Sequence, residues 1–224
     1  MRDTLHFLRD LKRNNNREWF AANRSRYEAA RQYTRHLTAS LIAAVAAHDP
    51  QAALLTESDC TYRIYRDTRF SPDKTPYKTH IGIFINPPGG KKAPTAGYYF
   101  HLEPEKFFFA AGNVCHPPKV LTAIRKSIAD NIEEYDAMMR DAEFRAVFPV
   151  IGENLLKTAP KGFDRQWPYV EYVRPRDYVA STATMRSPAP LLNDAAALHE
   201  VLRQACRFNR FINYAVEEAL DPNL

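Results

Sequence analysis

The spacing of apolar residues changes period twice along this 224-residue chain, and that change constrains the fold more than any other feature. Trp19, Asn23, Tyr27, Ala30, Thr34, Leu37, Leu41 and Val45 recur every three or four positions, as one face of a helix does. The next fifty residues instead hold short aromatic or β-branched runs, Cys60–Asp67, Ile81–Asn86, Gly97–Glu103 and Lys106–Gly112, bounded by Pro, Gly and Asn. Helical spacing returns after Pro117 and Pro118 with Val120, Leu121, Ile124 and Ile128, since proline is tolerated in a first turn. It continues in pieces over 132–147 and closes the chain with Leu198, Val201, Leu202, Ala205, Phe208, Ile212 and Ala215; a further strand is expected over Asp177–Met185. The order predicts an α+β fold, a largely antiparallel sheet covered by long N-terminal and C-terminal helices. A single domain over 1–224 is expected, with a helical segment at 1–50, the sheet at 57–116, and helices with one more strand at 117–224.

Composition narrows the function classes. Neither G-x-G-x-x-G nor G-x-x-x-x-G-K-[ST] occurs, so the two common glycine-rich phosphate loops are excluded and no cofactor is assigned. Cys60, Cys115 and Cys206 have no C-x-x-C spacing, which suits reduced thiols better than a disulfide framework or a zinc module. Charge interrupts the N-terminus too early for a signal peptide, and the longest run free of Lys, Arg, Asp and Glu, residues 36–48, is well short of the roughly 20 a spanning helix needs. A cytoplasmic protein without a membrane partner is expected. The net charge of +5 resides in the first 36 residues, where nine Arg or Lys face Asp3, Asp10, Glu18 and Glu28. Such asymmetry permits a nucleic-acid partner, although a solvated helix face is the plainer reading.

At the start of the long helix, Asn15 followed by Glu18 has the form of an N-cap with a reciprocal acidic partner. Asn23 lies on the aromatic stripe, and a buried amide must be hydrogen-bonded, so it either braces backbone or lines a polar pocket. The densest polar run is Arg63–Lys78, in which Arg63, Arg66, Arg69, Lys74 and Lys78 outnumber Asp67 and Asp73 by three charges in sixteen residues. Guanidinium forks match phosphate or carboxylate oxygens two at a time, lysine supplies a point charge, and Tyr77 offers a neutral hydroxyl. On this reading Arg63, Arg66, Arg69, Asp73, Lys74 and Lys78, with Asn23 and His101, bind an anionic small molecule, while at the catalytic positions Asp67 orients or accepts a proton and Tyr77 donates to the ligand. The plain alternative is a structural clamp in which Asp67 and Asp73 pair with the arginines. A third reading is a nucleic-acid module in which the basic helix tracks phosphates and exposed aromatics stack on bases.

The run resembles the signature R-x-x-R-D-x-R-F-x-x-x-[DN]-K-x-x-Y of an uncharacterised bacterial family, domain of unknown function 2461, and Arg63, Arg66, Asp67, Arg69, Phe70, Asp73, Lys74 and Tyr77 match every specified position. Asn15-Asn16-Arg-Glu18-Trp19-Phe20 with Asn23, Arg24 and Tyr27, the stretch Gly97–Pro104, and Lys157–Gly162 are similar to that family as well. The resemblance covers nearly the whole chain and implies no established activity. Elsewhere, His80, His101, Cys115 and His116 have no recognised ligand spacing, so no metal is assigned. Gly89-Gly90-Lys91-Lys92 reads as a basic hairpin tip, and Lys161 as a further candidate contact for an anion.

Overall fold

The computed structural model describes every residue except Pro88 and residues 222–224. Its sheet has five strands, β1 (Ile81–Ile85), β2 (Gly97–Glu103), β3 (Lys106–Asn113), β4 (Val150–Glu153) and β5 (Asp177–Ser181), in the order β1-β2-β3-β5-β4. The sheet is antiparallel, and among the described residues ten α-helices flank and link its strands: α1 (Arg2–Arg13), α2 (Arg17–Ala22), α3 (Arg24–Ala46), α4 (Glu57–Cys60), α5 (Pro118–Asp130), α6 (Ile132–Arg140), α7 (Ala142–Val147), α8 (Val170–Val173), α9 (Ala189–Leu192) and α10 (Ala195–Leu220). The α+β class, the antiparallel sheet and the long helices toward both ends agree with the periodicity. Contacts divide the residues into two compact units.

The first unit comprises Met1–Lys91, Tyr99–Phe108 and Thr184–Ala195. Its core is aromatic: Phe7, Leu8, Leu11, Phe20, Ala30 and Tyr77 are buried together, with Trp19, Tyr27, Ile64 and Ile81 packed against them. The expected continuous helix is broken at Asn23, which takes φ −108° and ψ 22° between α2 and α3. The cause is local, because the Asn23 amide donates to the Trp19 carbonyl at 2.9 Å and competes with the helical ladder. Asn16 and not Asn15 caps α2, accepting from the Trp19 N–H at 2.8 Å. Asn15 instead serves Tyr77, donating to its carbonyl at 2.9 Å and accepting its N–H at 3.1 Å, so that the amide pairs with that backbone as a neighbouring strand would.

The expected strand over Cys60–Asp67 does not form. Cys60 ends the short helix α4, and the following chain makes only isolated bridges, Thr61 to Ile83 and Tyr65 to Tyr77. A ladder would need successive residues paired, whereas here the Pro-bearing turn folds the chain onto itself, with the Arg66 N–H donating to Pro76 and the Lys78 N–H to Ile64. The basic Gly89–Lys92 stretch is a 3-10 turn over Gly90–Lys92, tied by the Gly90 N–H to Asn86 and by the Lys91 ammonium to the Ser58 carbonyl.

The second unit comprises Lys92–Tyr98, Phe109–Ala183 and Ala196–Leu224. Here α10 packs Phe208 and Phe211 on Phe144 and Tyr135, and Asn213 pairs with both backbone groups of Ala96. The expected strand to Met185 stops at Ser181, with Met185 bridging alone to Phe107 within the first unit. Gly112, at φ 116°, lies so close to β5 that a Cβ would meet the Tyr178 carbonyl oxygen at 2.1 Å.

Because Asn15 satisfies two half-buried backbone groups of Tyr77 at once, Asn15→Ala is expected to destabilise the protein by about 1–3 kcal/mol in urea denaturation, with little change in the denaturant slope. An unchanged midpoint would show that water replaces the amide without loss.

Candidate functional site

The loop 61–80 converges as a cationic turn in which both carboxylates are already occupied. Arg66 is largely enclosed; its guanidinium donates to the Asp73 carboxylate and the Thr75 hydroxyl, and also to the Thr75 carbonyl at 3.3 Å and Ser71 Oγ at 3.5 Å. Asp73 accepts in addition from the Thr75 N–H at 2.9 Å. Asp67 takes three bonds from Arg69, from its backbone N–H at 3.2 Å, Nε at 3.0 Å and Nη2 at 2.7 Å. Lys74 reaches back to the Thr68 carbonyl at 2.9 Å. Arg66 and Asp73 therefore brace the loop, and Asp67 orients Arg69. Among the described residues Arg63, Lys74 and Lys78 have no carboxylate within ion-pair distance, so the three surplus charges counted in the sequence belong to these side chains. Lys78 lies 5.2 Å over the Tyr62 ring, and burial together with Arg63 lowers its pKa.

Hydrogen bonds hold both carboxyls well below the usual carboxylate range. The Arg69 side chain and then its backbone N–H bring Asp67 to about 2. The Thr75 backbone N–H, followed by Arg66, does the same for Asp73. A carboxylate so stabilised is a poor proton acceptor at neutral pH, which weighs against the base role expected of Asp67.

Tyr77 lies in the core, its ring 4.0 Å from Phe20 and nearly parallel to it, with burial raising its hydroxyl pKa. Asn23 serves the helices: besides donating to Trp19 it accepts from the Arg26 guanidinium at 3.1 Å, and Arg26 in turn pairs with Asp10 at 2.7 Å. These two expected site residues act as supports for the loop and helices.

A second polar group occupies one face of the sheet, where strand alternation puts Tyr99, His101 and Glu103 in a row. The Tyr99 hydroxyl is 3.1 Å from His101 Nδ1, His101 Nε2 is 3.3 Å from a Glu103 oxygen, and the other Glu103 oxygen accepts from Lys12 Nζ at 3.1 Å. With Glu103 ionised the row has one consistent polarity: Nε2–H donates to Glu103 and Nδ1 accepts from Tyr99. Burial would raise the Glu103 carboxyl, but Lys12 and His101 together bring it below the ordinary value. The His101 ring stacks at 4.7 Å on Phe108 and at 4.8 Å on His80. Gly82 leaves space for the row, since a Cβ there would sit 2.9 Å from the Tyr99 hydroxyl oxygen. Tyr62 and Lys78 affect the titration of Tyr99 and His80 respectively, so this face adjoins the cationic loop.

The family model described as conserved hypothetical protein (DUF2461) matches residues 3–214. The chain belongs to that family. No curated protein and no solved structure matches it. The family match spans the loop and the histidine row alike, and brings no activity to either.

Of the expected site residues, Arg63, Arg66, Asp67, Arg69, Asp73, Lys74 and Lys78 share the loop, while His101 belongs to the sheet face and Tyr77 and Asn23 to the packing beneath. Sequence reading did not bring Tyr99, Glu103, Lys12 and His80 together. The alternation of Tyr99, His101 and Glu103 along one strand was the available signal; Lys12 comes from a helix about ninety positions away and leaves none.

Depressed carboxyl pKa values stabilise the fold above the unfolded value near 3.9 and cease to do so as pH falls through the folded value. The ion pairs of the loop are thus expected intact above about pH 4 and lost between there and pH 2. Carboxyl 13C titration of Asp67 and Asp73 should give midpoints near 2; midpoints at about 3.9 would mean the pairs are not formed in solution. Gly82→Ala should displace the Tyr99 hydroxyl and cost about 1–3 kcal/mol through overpacking, with a change in the His101 Nδ1 resonance as the diagnostic.

Proposed function

We propose that this protein binds a small anionic molecule, phosphorylated or carboxylated, at the cationic loop. The observation that carries the reading is the disposition of charge: each loop acid is committed to an arginine, and Arg63, Lys74 and Lys78 are left with no carboxylate of their own among the described residues. A clamp built for stability alone has no need of three unbalanced cations, which repel one another and are stabilised when an anion joins them. The loop's internal bonds also preorganise it, so little ordering cost falls on binding. Arg63 and Lys78 supply the contacts to anion oxygens, Lys74 closes the turn, and Arg66 keeps the loop in shape.

A second reading, single-stranded nucleic acid, draws on the aromatics of the same loop. Phe70 is 94% exposed, with Arg69 lying 5.8 Å over its ring, and Tyr62 and Tyr65 are each nearly half exposed. Solvent-facing rings beside cations are what base stacking uses.

Thermal shift against phosphate, sulfate, sugar phosphates, dicarboxylates and short oligonucleotides tests both. A small anion at 100 times its dissociation constant adds about 2.7 kcal/mol. Loss of either Arg63 or Lys78 to Ala is expected to weaken binding about tenfold or more with the fold intact, whereas Arg66→Ala loosens the loop itself. Oligonucleotide binding that falls steeply with salt and with Phe70→Ala, beside a flat response to small anions, favours the second reading. A flat response to every compound leaves the clamp.

A further inference from the structure

Phe70 is exposed as no other phenylalanine of this chain is. All thirteen lie among the described residues, and the rest are buried or partly buried, whereas Phe70 is 94% exposed. With Arg69 it forms the corner of the turn 68–71, which the Ser71 N–H closes by donating to the Thr68 carbonyl at 3.4 Å. Lys74 Nζ donates to that same carbonyl at 2.9 Å, so an ammonium group is fixed on the turn. The Arg69 guanidinium lies 5.8 Å from the centre of the Phe70 ring and is held by Nε and Nη2, which donate to Asp67 at 3.0 and 2.7 Å. Ring, guanidinium and ammonium thus belong to one short piece of backbone whose shape is set by its own bonds. Both cations keep donors in reserve. Nη1 of Arg69 has no partner among the described residues, and the Thr68 carbonyl takes one of the three protons of Lys74.

We propose that this turn binds a nucleotide, whose base stacks on the Phe70 ring while Arg69 Nη1 and Lys74 Nζ donate to its phosphate oxygens. A turn that only reversed the chain would have no need of the ring, since the bonds to Asp67 and Thr68 close it without Phe70. Left in water, the phenyl group forgoes the stabilisation that burial gives to a side chain of its size. A ligand that is aromatic at one end and anionic at the other uses both features at once: the planar base covers apolar carbon, and the phosphate meets the unused donors. Because every base has a π-face, stacking selects ring size and not base identity. Purines therefore bind better than pyrimidines, with little distinction between adenine and guanine. This inference rests on the anionic-ligand reading above, and narrows that ligand from phosphorylated or carboxylated molecules in general to nucleoside phosphates.

Tripolyphosphate separates the two, because it carries the phosphate chain of ATP without a base. Calorimetric titration of the wild-type chain at low salt is expected to show ATP and GTP binding alike and about tenfold tighter than tripolyphosphate, with UTP between. Phe70→Ala should bring all four to the tripolyphosphate affinity, leave that affinity unchanged and not move the melting temperature, since so exposed a ring supports no core. Phe70→Trp should restore the preference for the nucleotides. Equal affinities in the wild-type chain, or a preference for ATP that survives Phe70→Ala, overturns the proposal while retaining the anion site. Failure of every one of these compounds to bind counts against both readings. Binding of a short oligodeoxyadenylate without any binding of ATP also overturns the proposal, in favour of a strand as the partner.

Discussion

Tyr77 joins the aromatic core to the charged loop, and the geometry of the site depends on that junction. Its ring is clasped by Phe20, its backbone is paired on one side by the Asn15 amide, and on the other it bridges to Tyr65. A loop rich in like charges tends to expand, since each cation gains by moving away from the next. Burying one aromatic ring and satisfying its two backbone groups opposes that expansion without adding a carboxylate that would neutralise the cations. The first helices, whose sequence reads as an amphipathic stripe and no more, thereby become the platform for the loop.

Once the loop is closed, its charges sort by reach. Arg66 and Arg69 find Asp73 and Asp67 within the same turn, and those pairs are made by neighbours in sequence. The carboxylates of both pairs are exposed, so the worth of the pairs lies less in stability than in holding side-chain directions. Arg63, Lys74 and Lys78 have no carboxylate within ion-pair distance among the described residues. The same bonds that orient Arg69 and Arg66 hold the Asp67 and Asp73 carboxyls low, which makes both weak bases.

Much of the fold was legible because alternation and helical period are local. The runs Ile81–Ile85, Gly97–Glu103 and Lys106–Asn113 form the strands their composition suggests, and Pro118 opens α5 as a proline at that position should. The stretch Cys60–Asp67 has the same aromatic and β-branched character and yet is not a strand, since the turn beyond it gives isolated bridges in place of a ladder. Composition cannot distinguish these cases, because a strand is made by its partner. The short β4, which pairs with β5 through a register shift between Ile151 and Glu153, left no pattern long enough to read.

By itself the sequence determined the α+β class, the family and the surplus of three positive charges, all of which follow from residue identity and spacing along the chain. Tertiary structure alone decided which charges are spent. Lys12 meets Glu103, and Asn15 meets Tyr77, across separations that no local pattern encodes, and those meetings settle whether a polar group is a brace or is free to bind. The physical reason is that a side chain's function depends on its unsatisfied hydrogen bonds and unpaired charge, and both are properties of neighbours brought together by folding.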